Sequence, residues 1–258
     1  MRESPDSLAS GLRRTIAPYS TPMLPLFDNI PIRRFPFATY ALIAANFAVW
    51  FWELGSRAGR IDHYAFYPCA VSGPCLGAAR NHVPWPEGTL TSMFMHAGWL
   101  HILGNMLFLF IFGNNVEDVM GRIRFVVFYV AGGFAAALTQ TFVTLHWSGA
   151  AAASIPNVGA SGAIAAVLGA YLVLLPHARV TTLLFGFLPW RISAGVFLII
   201  WFVFQLWQSN FSITHADQGG GVAFAAHVGG FAFGFLAIKA FQVRPPLGPR
   251  QGRRRSGA

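Results

Sequence analysis

Charge is scarce in this chain of 258 residues: Asp, Glu, Lys and Arg together make up only 10%, against about 25% in soluble proteins. That scarcity excludes an ordinary water-soluble domain. Acidic side chains are the rarer kind, nine against eighteen basic ones. A nucleic-acid binder would show its basic residues on a polar surface, whereas here they fall between long apolar runs. Cysteine is limited to Cys69 and Cys75, with no His or Cys nearby at metal-ligand spacing, which argues against structural zinc. His-Glu-x-x-His does not occur, which disfavours an intramembrane zinc protease. The first 35 residues lack a short apolar stretch followed by a small-residue cleavage site, so no removable signal peptide is expected. Period-two alternation is missing too, which speaks against a membrane β-barrel. What is abundant is grease: 55% apolar residues, 25 Phe and 8 Trp, and a mean hydropathy of +0.51. The composition is that of an integral membrane protein.

Six apolar stretches, roughly 37–54, 99–116, 124–146, 160–176, 192–210 and 222–242, approach the ~20 residues that cross a bilayer as a helix. Backbone hydrogen bonding inside lipid makes helices the default, so the expected fold is all-α, a polytopic six-transmembrane-helix bundle. The chain divides into an N-terminal segment 1–35, broken by prolines and expected to be flexible, a membrane domain 36–242, and a basic tail 243–258. With the N-terminus placed in the cytoplasm, fifteen of the eighteen basic residues fall on that side, leaving Arg57, Arg60 and Arg80 outside. This asymmetry follows the positive-inside rule and puts both termini in the cytoplasm. The long connection 55–98 is then extracytoplasmic. Its Cys69 and Cys75 are compatible with either a local disulfide or two free thiols. The arginine-rich tail is topogenic, and contact with anionic headgroups would be an additional effect.

Polar residues inside such spans are costly and therefore informative. In the second span His96-Ala-Gly-Trp-Leu-His101-Ile-Leu-Gly-Asn105 puts His101 and Asn105 on one helical face. In the fourth, Gly159-Ala160-Ser161-Gly162 opens a helix with a serine among small residues. In the sixth, His227, Gly230 and Gly234 lie near one face. Spans two, four and six run in the same direction, so His101, Ser161 and His227 are expected at one shallow depth below the outer surface. Gly230-x-x-x-Gly234, and Ser161 with Ala165 and Gly169, would let helices approach closely. Nucleophilic acyl transfer follows as the chemistry: a serine hydroxyl needs a base, for which His227 is the candidate. The developing oxyanion needs donors, which His101, Asn105 and the Ser161 N–H can supply. Asp217 lies in an outer loop and no carboxylate is positioned to orient His227, so a Ser–His dyad is expected. Each motif alone is weak; a lone membrane serine usually bonds its own helix. His63, His82, His146, His177 and His215 fall in loops or at span ends and carry no assigned role. His96 sits at the mouth of span two.

The three motifs in this order resemble the rhomboid family of intramembrane serine proteases, across residues 36–242. Carried over residue by residue, the resemblance implies Ser161 as nucleophile, His227 as general base, and His101 and Asn105 as oxyanion stabilisers. It implies Glu117 as a structural acid. It further implies single-span membrane protein substrates, cleaved in or near their transmembrane segments, in a bacterial cytoplasmic membrane, without metal or organic cofactor. Three positions depart from the family pattern. Glu87 and Gly88 stand where many members carry Trp-Arg, and Ala165 where many carry an aromatic packed on the base. Two other readings are a non-proteolytic rhomboid-like protein that binds client transmembrane helices, and a transporter. The transporter lacks the carboxylates usual along such pathways.

Overall fold

A computed structural model describes residues 23–55, 57–184, 187–214 and 223–248. Among the described residues four helices are long and apolar enough to cross a membrane: α1 (Phe37–Leu54), α2 (Trp99–Met120), α3 (Arg122–Trp147) and α6 (Phe224–Phe241). Two further apolar helices, α4 (Ser161–Leu174) and α5 (Ala194–Thr214), complete a polytopic helical bundle. Helix α4 is the most buried, its apolar side chains covered all round from Gly162 to Tyr171. A helix apolar on every face belongs in such a central position. The outer helices instead expose Leu100, Ile123 and Leu236, each more than three-quarters accessible. Such faces suit a hydrocarbon solvent.

Small residues set the spacing between α4 and its neighbour α6. A Cβ added at Gly234 would fall on the Ala166 carbonyl oxygen, one at Gly230 on that of Gly162, and one at Gly169 on that of Phe231. On α3, a Cβ at Gly132 would meet the Ala166 methyl. Only glycine lets these backbones come so close.

Helix α2 contains one π-helical segment, Leu109–Gly113. An extra residue in a turn rotates everything beyond it. Ahead of it lie His101 and Asn105; after it, Glu117 meets the start of α1. That helix begins behind Pro36 without a capping side chain, so its first N–H groups need outside partners. Glu117 Oε1 accepts from Ala38 N–H at 3.0 Å, and Oε2 accepts from Thr39 N–H at 2.7 Å and Thr39 Oγ–H at 2.8 Å. A carboxylate is also favoured by the helix dipole there. Glu117→Ala would strand these buried donors, and we expect a loss of about 2–3 kcal/mol, read as a lower unfolding temperature in detergent.

The helical expectation gains a small antiparallel sheet, ordered β1 (Met23–Asp28), β2 (Arg179–Leu184), β3 (Leu188–Ser193). Strand β1 pairs Met23 with Leu184 and Asp28 with Val180, with a register shift between Pro25 and Phe27. A proline without an N–H is tolerated on such an edge. Segment 1–35 thus contributes the strand Met23–Asp28 to this sheet. Asp28 Oδ2 accepts from Asn115 Nδ2 and Tyr171 Oη, both at 2.6 Å, and Arg33 pairs with Asp118 at 2.7 Å. Residues 1–22, His215, Asp217 and the arginines of 249–258 lie outside the described residues.

Candidate active site

Ser161 stands at the first turn of α4 and His227 in the first turn of α6. The α4–α6 glycine contacts bring these two starts together. Ser161 Oγ lies 2.7 Å from His227 Nε2. On the other side of the ring, His227 Nδ1 lies 2.6 Å from Gln205 Oε1. An amide oxygen only accepts, so Nδ1 carries the proton and Nε2 is left to accept from the serine hydroxyl. The start of α6 is itself held by Gln140 on α3, whose Oε1 accepts from Ala226 N–H at 3.1 Å.

Ala165 is fully buried and gives His227 no aromatic support. That support comes from elsewhere: the Trp201 ring of α5 lies 6.0 Å from the His227 ring, and Phe224 meets it edge-on at 6.2 Å. The departure at position 165 is therefore compensated from α5 and from Phe224 at the start of α6.

His101 and Asn105 come from α2. Ala97 N–H donates to His101 Nδ1 at 3.3 Å, which leaves the proton on Nε2. The buried Asn105 Nδ2 has no hydrogen-bond partner among the described residues. Both groups face Gly159: a Cβ there would lie 2.7 Å from His101 Nε2 and 3.6 Å from Asn105 Nδ2. Gly159 also has φ of +126°, a conformation side chains resist. The first N–H groups of α4 have no carbonyl within their own helix. An imidazole N–H and a free amide thus face Gly159, two residues ahead of Ser161 and the start of α4, an arrangement able to hold an oxyanion.

The large connection 55–98 fixes this corner. Phe66 N–H donates to the Asn157 carbonyl at 3.2 Å, Asn157 N–H returns the bond to Phe66 at 2.8 Å, and Gly159 N–H donates to Ser92 O at 2.9 Å. The segment leading into Ser161 is therefore stapled to the connection from two sides. Within the connection Cys69 and Cys75 form a disulfide, and Cys69 packs with Ala65 and Tyr67. Gly88 sits against the Ala65 carbonyl, where an added Cβ would come within 3.1 Å. A glycine at that departure from the pattern thus has a local steric reason.

The structure brings all four expected site residues, Ser161, His227, His101 and Asn105, into one cluster. Gln205 is not marked by the sequence motifs, since the group behind the base is an amide and not a carboxylate. The available signal was a glutamine inside an apolar span. Glu53 was missed as well: buried near the end of α1, its Oε2 accepts from His96 N–H at 3.2 Å. The His96 ring meets the His101 ring edge-on at 5.1 Å. Burial first, and then the His101 ring beside it, hold the His96 imidazole far below its usual pKa, at about 3. It is accordingly neutral at physiological pH.

Comparison with known proteins agrees with this architecture. A family model described as Rhomboid domain matches residues 86–243. RHOMBOID-like protein 1 of Arabidopsis thaliana is 32% identical over 161 residues, covering 61% of this chain and 35% of its own length. Rhomboid protein 1, mitochondrial, of Saccharomyces cerevisiae is 28% identical over 223 residues, 82% of this chain and 56% of its own. Presenilin-associated rhomboid-like protein A, mitochondrial, of Danio rerio is 28% identical over 153 residues, 57% of this chain and 35% of its own. The chain thus spans between about a third and a little over half of these relatives' lengths.

Proposed function

The chain belongs to the rhomboid family, and from that premise we propose that it is an intramembrane serine endopeptidase. Its substrates are single-span membrane proteins, cleaved in or near their transmembrane segments. The observation that carries this reading is the 2.7 Å approach of Ser161 Oγ to His227 Nε2.

In the proposed reaction His227 Nε2 takes the Ser161 proton as Oγ attacks the scissile carbonyl carbon. The oxyanion is held by His101 Nε2–H, the Asn105 amide and the Ser161 N–H. Collapse of the tetrahedral intermediate breaks the C–N bond, and Nε2 returns its proton to the leaving amine. A serine ester remains. Water then gives a proton to His227 and attacks the ester carbon; a second collapse frees the acid and restores the hydroxyl. Throughout, Gln205 Oε1 accepts from Nδ1–H and keeps the ring in one orientation and one tautomer. A neutral amide supports the imidazolium less than a carboxylate would. The dyad is therefore aided by a positioning glutamine rather than extended to a charged triad.

Purified protein in liposomes with a panel of single-span substrates tests the activity. Cleavage of a substrate by the wild type and not by Ser161→Ala supports it. Substrates bound but left intact would favour a non-proteolytic binder of client helices. The role of Gln205 has its own signature. We expect Gln205→Leu to lower kcat about tenfold to a hundredfold, the range for a buried donor left unsatisfied, with KM little changed. Gln205→Glu, which keeps an oxygen acceptor, should retain more activity. Equal loss in both variants, or loss confined to KM, would contradict a positioning role.

A further inference from the structure

The end of the bundle away from Ser161 carries a cavity of about 460 Å³ between the start of α1, the α2–α3 turn and the segment after α6. It is far from the candidate active site. Glu117, on its wall, lies sixteen residues beyond His101 along α2, about 24 Å at the helical rise. Arg34, Arg122, Arg124 and Arg244 all line it. Its two carboxylates are already engaged, Glu117 with the start of α1 and Asp118 with Arg33. Arg34, Arg122 and Arg124 have no ion-pair partner among the described residues.

The positions of Arg122 and Arg124 run against local helix electrostatics. They occupy the first turn of the 26-residue α3, which has no acidic residue there and no capping side chain. The helix dipole already places partial positive charge at that point. Two more cations are unfavourable unless an anion shares the site. Charges needed only to set orientation would have to lie on this side of the membrane, but they would not have to converge on one cavity. Around the arginines the lining is apolar and open: Phe35 is 62%, Ile123 81% and Val243 52% exposed. Phe37, 58% exposed, lies under the Arg122 guanidinium at 5.5 Å. A cationic pocket with an apolar rim at the end of a transmembrane bundle matches an amphiphile, with its phosphate among the arginines and its acyl chains along the rim.

We propose that this pocket binds the phosphate headgroup of an anionic phospholipid from the adjacent leaflet. Bound there, the lipid would bridge α1, α3 and the segment after α6, which are separate in sequence. The site does not depend on the proteolytic reading.

The test is a calorimetric titration of the purified full chain in a neutral detergent. Its probes are dioctanoyl phosphatidylglycerol, dioctanoyl phosphatidylcholine and inorganic phosphate. Saturable binding of phosphatidylglycerol is expected. Affinity should fall roughly thirtyfold in Arg122→Gln/Arg124→Gln, from two lost charges near a headgroup, and in the same direction in Arg34→Gln. Arg34 belongs to a different segment and guards against a misfolded α3. Arg179→Gln/Arg191→Gln, outside the pocket, should bind as the wild type does. Equal weakening by both arginine pairs would reduce the effect to net charge and overturn the proposal. So would phosphatidylcholine bound as tightly as phosphatidylglycerol, the absence of saturable binding, or phosphate bound as tightly as the lipid. The last outcome would mark a site for a free anion.

Discussion

Replacing Ser161 or His227 by alanine should lower cleavage of a single-span substrate by roughly four to six orders of magnitude in kcat/KM. This is the scale seen when a nucleophile or its base is removed from a serine protease. Ser161→Ala removes the atom that forms the ester. His227→Ala leaves the hydroxyl in place but takes away the group 2.7 Å from it that accepts its proton. Because the two act as one unit, the double variant should be hardly worse than either single one. Product analysis by mass spectrometry in liposomes reads the loss. Ser161 is only partly buried at its helix start, so its alanine variant should keep the wild-type unfolding temperature. Additive losses in the double variant would mean that the residues do not work together.

Gly159→Ala should be the next most damaging change, although it removes no reactive group. The backbone there has φ of +126°, and the new methyl would sit 2.7 Å from His101 Nε2. It would occupy the space toward which the His101 and Asn105 donors point. Loss of one oxyanion donor typically costs 10²–10³ in rate, and we expect kcat to fall by about that much. Fluorophosphonate labelling should weaken with it, because that reaction also loads negative charge onto an oxygen beside Ser161. Wild-type turnover in Gly159→Ala would show that the donors act elsewhere.

The sequence was most informative wherever cost in lipid singles a residue out. A histidine, an asparagine or a flanked serine in an apolar run has few bland explanations when three recur on spans of one direction. The expectation that His101, Ser161 and His227 lie at one depth follows from spans that run in one direction. The glycines that seat α6 on α4 were legible for the same reason, since a small residue every four positions marks a packing face. What escaped was tertiary. Gln205 is uncharged and lies among aromatics of α5, and only the packed bundle turns it toward His227. Trp201 likewise takes the place of a missing aromatic at Ala165 from another helix, which no local pattern could announce. The strand Met23–Asp28 was hidden by its two ends, because its partner Arg179–Leu184 is some 150 residues away. The staple between Phe66 and Asn157 was hidden by the same kind of separation.

On the proposed mechanism His227 activates Ser161 for attack. Exposing the full chain in detergent to a fluorophosphonate and locating the modified residue by peptide mass spectrometry tests that activation. A single phosphonylated residue, Ser161, is expected, with loss of that adduct in His227→Ala. Modification at another serine, or undiminished modification of Ser161 without His227, would contradict it.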